Sequence, residues 1–257
     1  MRFVRKVPDF RAYAPATPAD ATEIRLGPEE SHHLVTVNRC GRGDPVTAFD
    51  GRGREWLTEC IDAGKAATVL RVKESRQAQP LPCGITLAQA LPKGAVMDDI
   101  VRQATEVGAA RIVPLLSERT QVHLDGDRAD KKAGKWRIAA IEAAKQCGNP
   151  WLPEISAIQN FAAFVSAAKD HDLKLVASLH GGATTLKKSL AGYTAKHGHA
   201  PRKVLWLVGP EGDFSPGEMT AAISAGFQPI TLGSLVLRSD TAAIYALSIL
   251  SHELTAG

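Results

Sequence analysis

The sequence predicts two joined parts. Residues 1–75 read as β-rich, residues 85–257 as a parallel α/β sheet, and residues 76–84 as the linker between them. Three observations lead there. A hairpin signal, two strand-like runs around a Gly-rich turn, falls in the first part. From residue 85 onward, short apolar runs alternate with helical patterns, the signature of βαβ units. Between the two, ESRQAQPLPCG (74–84) is polar, carries two prolines and shows no periodicity.

In the first part, PVTAFD and REWLTECI flank the turn GRG, and AATVLRV forms a further short strand. PEESHHLVTVNR is expected as a short helix closed by Gly41. In the second part, ITLAQAL and RIVPLL suit buried parallel strands. Between them, MDDIVRQATEVG puts Met97, Ile100, Val101, Ala104 and Val107 on one face. Asp98 and Asp99 sit in its favourable first turn, and Gly108 closes it. KWRIAAIEAAKQCGNP is a second helix ended by Gly148 and Pro150, and NFAAFVSAAK a third, followed by the strand LKLVASL. The strand KVLWLVG then leads to a well-signalled helix. Ser215 is its N-cap, Pro216 its first residue, Glu218 completes a capping box and Gly226 ends it. The strand PITLG and a terminal helix complete the series.

Composition bounds the function. Apolar residues make up 44% and charged residues 23%, ordinary for a soluble globular chain. No apolar stretch approaches the roughly 18 residues of a membrane span, and MRFVRKVPDFRAY lacks a signal peptide's apolar block. Cys40, Cys60, Cys83 and Cys147 lie far apart with no Cys-x-x-Cys pair, so neither a zinc knuckle nor a disulfide framework is signalled. A cytoplasmic protein that meets no membrane is expected. The net charge of +4 arises from 31 basic and 27 acidic residues. Its distribution is more telling, with Arg2, Arg5, Lys6 and Arg11 at the start against only Asp9, Arg39 and Arg42 in NRCGRGD, and Arg52 and Arg54 in DGRGREW. These are candidate phosphate contacts.

Two loops carry the chemistry. The first is GPEGD (209–213), where a buried strand stops. A phosphate would welcome the glycines but not Glu211 and Asp213, and no Gly-Lys-Ser/Thr follows. Neither Gly-x-Gly-x-x-Gly nor a convergent metal-ligand set occurs, so no metal is expected. A ligand with positive charge and an adenosine-like body, such as S-adenosylmethionine, tolerates the carboxylates and uses the close approach that glycine allows. A loop at the carboxyl end of a parallel strand is also where open α/β sheets bind ligands. The second loop is TLGSLVLRSDT (231–241). There Arg238 stands directly ahead of a helix N-terminus, an unfavourable place for a structural cation and a sensible one for a group that meets RNA or a developing anion. The helix that follows is apolar nearly all round, through Ile244, Tyr245, Leu247, Ile249, Leu250 and Leu254, which predicts cover on two sides and hence a dimer, with Leu247 a candidate partner-facing position.

LVGPEGDFSPGE and TLGSLVLRSDTAAIYAL together resemble the paired C-terminal motifs of the RsmE-type ribosomal RNA methyltransferases of the SPOUT superfamily. PKGAVMDDIVRQATEVGAARIVPLLSERTQV and KWRIAAIEAAKQCGNPWLPEI are similar to two further family blocks, and HHLVTVNRCGRGD with FDGRGREW to its N-terminal PUA-like domain. The resemblance implies a PUA-like β-barrel domain, a SPOUT α/β domain tied in a trefoil knot, and a homodimer. It also implies S-adenosylmethionine-dependent methylation of N3 of one uridine in 16S small-subunit ribosomal RNA, with the 30S subunit as the expected partner. On matching positions, Leu179, Val208, Gly209, Glu211, Gly212, Leu232, Gly233 and Leu237 would hold the cofactor, and Arg238 would stand beside the transferred methyl. Arg119, with Arg2, Arg5, Lys6, Arg39, Arg42 and Arg52, would meet RNA. Asp240 and Glu118 stand as alternative bases. The family commonly has glycine in place of Asp213, Thr-Glu in place of Ser239-Asp240, and Ser-Gly-Arg in place of residues 147–149. Methylation of a ribose 2′-hydroxyl, or an RNA-binding assembly factor without catalysis, are the alternative functions.

Overall fold

The computed structural model describes residues 10–121, 126–179 and 182–255, and Arg2, Arg5 and Lys6 lie outside them. The chain divides into two compact units, Met1–Pro80 with Ile141–Leu152, and Leu81–Ala140 with Pro153–Gly257.

The first unit holds β1 (Arg11–Tyr13), β2 (Glu23–Arg25), α1 (Pro28–His32), β3 (Pro45–Phe49), β4 (Arg54–Ala63) and β5 (Thr68–Gln77). They form one sheet in the order β1-β3-β4-β5-β2. β1 runs parallel to β3 and the other neighbours are antiparallel. Among the described residues no pairing joins β1 to β2. Trp56 and Cys60 of β4 alternate into a core with Leu34, Val46 and Leu70. Glu55 points to the opposite face, fully buried, and accepts one bond from Arg11 Nη1 and one from Arg76 Nε, each at 3.0 Å.

Two expectations change here. α1 passes into a wider turn over His33–Val37, and the residue that ends it is Arg39, left-handed at φ 61°, rather than Gly41. β5 also runs to Gln77, two residues into the expected linker. Its polar end earns a place in the ladder because Arg76 pairs with buried Glu55 and Gln77 Nε2 donates to the Arg52 carbonyl.

The segment Ile141–Leu152, expected within an unbroken second part, belongs to the first unit. It seats on the β3–β4 turn, where Gly53 N–H donates to Pro150 O at 3.0 Å and Leu152 N–H to Gly51 O at 2.9 Å. A Cβ on Gly53 would fall 2.4 Å from the Trp151 ring, so only glycine fits that contact. Asn149 Oδ1 accepts the Trp151 N–H at 2.9 Å, which gives Asn149 a turn-forming role where the family has arginine.

The second unit continues through β6 (Gly84–Ala90), α2 (Val96–Glu106), β7 (Arg111–Leu116), α3 (Gly126–Cys147), β8 (Glu154–Ile155) and β9 (Gln159–Asn160). Next come α4 (Phe161–Ala167), β10 (Leu173–Ala177), β11 (Thr184–Thr185) and α5 (Leu186–His197). β12 (Lys203–Val208), α6 (Pro216–Ser224), β13 (Gln228–Thr231) and α7 (Ser239–Thr255) complete it. The last turns of α3 fall in the first unit. The sheet has the order β11-β13-β10-β12-β6-β7-β8, with β9 also on β7, and every pairing is parallel.

Burial on both faces explains the unbroken apolar strands. Val204, Trp206 and Val208 of β12 enter a core shared with α2 and α7, while Leu205 and Leu207 enter another with Phe161, Phe214 and Phe227. α5 had no apolar stripe to betray it. It is built by its ends, Thr185 accepting the Lys188 N–H and Gly198 turning left-handed at φ 77°.

Candidate active site

The carboxyl ends of β10, β12 and β13 surround a cavity of about 410 Å³, within the roughly 300–1,000 Å³ of small-molecule sites. Seven of the eight expected cofactor residues line it: Leu179 after β10; Val208, Gly209 and Glu211 at the end of β12; and Leu232, Gly233 and Leu237 after β13. Arg238 lines it too, exposed, and its guanidinium has no hydrogen bond or ion pair among the described residues.

The eighth, Gly212, lines a neighbouring cavity with Lys93, Glu118 and Arg119, and Glu211 borders both. Arg119 Nη1 donates to Gly212 O at 2.7 Å, and the Lys93 backbone N–H donates to Glu211 Oε1 at 2.9 Å. Glu118 thus stands in the adjoining cavity, its N–H bound to Glu218 Oε1 at 2.8 Å. Asp240 sits in the first turn of α7 and lines neither cavity. The structure therefore brings Arg238 to the cofactor-sized cavity without either candidate base.

Local sequence explains the loop after β12. Ser215 Oγ accepts the Glu218 N–H and Glu218 Oε2 accepts the Ser215 N–H, the expected capping box. Asp213 is left-handed at φ 59°, with its carboxylate accepting the Phe214 N–H at 2.7 Å. Aspartate tolerates that conformation through such a local bond, so it fills a position where the family uses glycine. Gly209 is tightly enclosed: a Cβ there would lie 3.1 Å from Asp213 Oδ1 and 3.2 Å from Phe214 N, so a side chain would push the loop by a few tenths of an ångström. Gly233 is required for its backbone at φ 125°, since a Cβ there would meet nothing within 4 Å.

Three features of the site, two in the cavity lining and one behind it, went unread as parts of it in the sequence. Leu235 and Val236 are 75% and 78% exposed, apolar and uncovered. Ser239 donates to Gly209 O at 2.6 Å. Behind it lies Gln89 of β6, whose only sequence signal was a polar residue inside an apolar strand. Among the described residues no group of three or more His, Cys, Asp or Glu could hold a metal ion.

The candidate RNA cations are spread out, and Arg11 is not among them, being buried in its ion pair with Glu55. Arg39 and Arg42 precede β3 and Arg52 follows it, all exposed. Five residues of strand, about 16 Å, separate the two sets rather than the single cluster that their nearness in sequence suggested.

A ligand cavity at the carboxyl edge of a parallel sheet, joined in one chain to a small β unit, defines a class that comparison identifies. The RNA methyltransferase domain family matches residues 79–251, and the RNA methyltransferase PUA domain family matches residues 26–73. Ribosomal RNA small subunit methyltransferase E of Synechocystis is 34% identical over 236 residues, covering 91% of this chain and 74% of the relative. A Legionella pneumophila methyltransferase solved with the cofactor SAM bound superposes with a TM-score of 0.85 at 32% identity, over 95% of this chain and 97% of that one. Ribosomal RNA small subunit methyltransferase E from Neisseria gonorrhoeae, bound to S-adenosyl methionine, gives 0.84 at 26% identity, over 97% and 99%. The chain belongs to the ribosomal RNA small subunit methyltransferase E family.

Proposed function

We propose that this enzyme methylates N3 of one uridine in 16S small-subunit ribosomal RNA, using S-adenosylmethionine, and that it works as a homodimer on the 30S subunit. The observation that carries the reading is the cavity itself, which gathers seven expected cofactor residues and Arg238 at one sheet edge. Its residues fit the cofactor: a largely apolar wall, backbone free of a side chain at Gly209 and Gly233, and the Glu211 carboxylate, one oxygen of which accepts the Lys93 N–H, facing a cationic group. When bound there, S-adenosylmethionine supplies an electrophilic methyl group on a positively charged sulfur.

The chain's own residues do the rest. The Gly209 and Gly233 backbones align the reacting groups, which is most of what a protein offers to an in-line displacement. Uracil N3 must give up its proton, to water because neither Glu118 nor Asp240 lines the cavity, and the Arg238 guanidinium, without a partner among the described residues, stabilises the charge that develops on the ring. Arg39, Arg42 and Arg52, together with Arg2, Arg5 and Lys6, contact phosphate, and the target base is presented unstacked.

Two finer features belong to the same reading. The chain leaves β13, passes over the ends of β10 and β12 as residues 232–238, and returns as α7 against β6, β12 and α2. That path supports a trefoil knot of the SPOUT type, despite the general rarity of threaded chains. Exposed Leu235, Val236 and Tyr245 support a second subunit as their cover.

The test is nucleoside mass spectrometry of small-subunit ribosomal RNA from a deletion strain, before and after complementation. Loss and return of 3-methyluridine is expected. A change in a 2′-O-methylated nucleoside instead would replace the target atom, and no change at all would remove the function.

A further inference from the structure

Gln89 is fully buried in β6, in register with Val208 on one side and Pro114 on the other. A strand residue serving burial alone would be apolar, since a polar group taken out of water costs free energy unless it is bonded. The Gln89 side chain is only half satisfied. Its Nε2 donates to Ala90 O at 2.8 Å and to Ser239 Oγ at 2.8 Å, while its Oε1 is buried without a partner among the described residues. The orientation is not arbitrary, because only the NH2 end can donate to the Ala90 carbonyl. Ser239 passes the bond on, donating to Gly209 O at 2.6 Å, and Gly209 O lies 3.5 Å from the amide as well.

Three segments distant in sequence meet at this one amide: the end of β6, the loop after β12 and the start of α7. The last two carry Gly209 and Arg238, and the first backbone bond of α7 runs from Ala242 N–H to Arg238 O at 2.8 Å. We infer that Gln89, acting through Ser239, is a positioning residue that straps the Gly209 loop to the α7 N-terminus and so fixes Arg238 against the cofactor cavity. This rests on the proposed S-adenosylmethionine site.

The test compares the full-length parent with Ser239→Ala, Ser239→Thr and Gln89→Leu, reading S-adenosylmethionine affinity by calorimetry, kcat on RNA, and the melting temperature. Ser239→Ala strands the Gly209 carbonyl and one Gln89 N–H, and should weaken cofactor binding by about tenfold with a fall in kcat. Ser239→Thr should restore both. A merely structural role would lower the melting temperature and leave cofactor affinity and kcat per folded molecule unmoved. That result, in Ser239→Ala, overturns the inference even if Gln89→Leu fails to fold. A parent that binds no S-adenosylmethionine overturns the site reading and the inference with it, whereas a binding parent matched by its variants overturns the inference alone.

Discussion

The Arg119 guanidinium donates to the carbonyl oxygen of Gly212 at 2.7 Å, joining the loop after β7 to the loop after β12. Glu211, the neighbour of Gly212, borders both cavities. An arginine expected to serve RNA is thus already engaged with the cofactor loop. Arg119→Ala should weaken S-adenosylmethionine binding about threefold to tenfold, the scale of one ordinary hydrogen bond, because this one is exposed to water. Calorimetry showing unchanged cofactor affinity, with only the salt dependence of RNA binding reduced, would return Arg119 to a phosphate contact.

Arg238 has the opposite character, exposed and without a partner among the described residues. Arg238→Ala should lower methylation by a factor on the order of one hundred, as expected for a lost transition-state charge partner. Cofactor affinity should change much less. Single-turnover kinetics at saturating cofactor separate the two, and full activity would remove Arg238 from the mechanism.

Asp213 tests whether the left-handed turn is what its position demands. Asp213→Val should destabilise the protein by about 1–2 kcal/mol through backbone strain, and Asp213→Gly should stay closer to the parent. Urea denaturation measures both. Equal losses in the two variants would mean that the Asp213–Phe214 bond, rather than φ 59°, is what matters.

The terminal helix carries buried and exposed apolar positions. Leu247, the position first suspected of facing a partner, is 1% exposed within its own subunit, while Tyr245 is 48% exposed. Leu247→Asp should therefore lower the melting temperature, because it buries an unpaired charge. Tyr245→Asp should leave folding intact and shift the mass seen by light scattering from dimer to monomer, with activity falling alongside. A wild-type protein that is monomeric and active at micromolar concentration would sink the dimer.

The cysteines give a pH-dependent prediction. Burial, with Cys60 and Asp44 adding to it, pushes the Cys40 thiol up to about 12; burial pushes Cys83 up to about 11 and also raises Cys60. A raised thiol pKa means less thiolate at any lower pH, and the thiolate is the reactive form. Alkylation of the native protein at pH 8 should label half-buried Cys147 first. Moving to pH 9 should not bring in the other three. Peptide mass spectrometry showing Cys40 labelled early would mean that the first unit opens readily.

What the sequence by itself determined is local and periodic. Apolar runs marked β6, β7, β10 and β12, and the Ser215–Glu218 capping box and the Asn160 cap appear as their residue types require. The glycines and acids of GPEGD were enough to suggest a cationic ligand, and Arg238 ahead of α7 to suggest a group that meets RNA or a developing anion. The tertiary structure alone decided which of these residues meet. Gly212 parts from Gly209 because Arg119 draws its carbonyl towards the second cavity. Asp240 is carried off on the first turn of a helix whose preceding residue lines the cavity. Residues 141–152 leave their neighbours in sequence because the glycines of the β3–β4 turn admit the Trp151 and Leu152 side chains. Gln89 and Ser239 stand 150 positions apart. No periodicity links them, because their contact depends on the order β10-β12-β6 and on the return of α7, and strand order is settled by long-range burial rather than by local pattern.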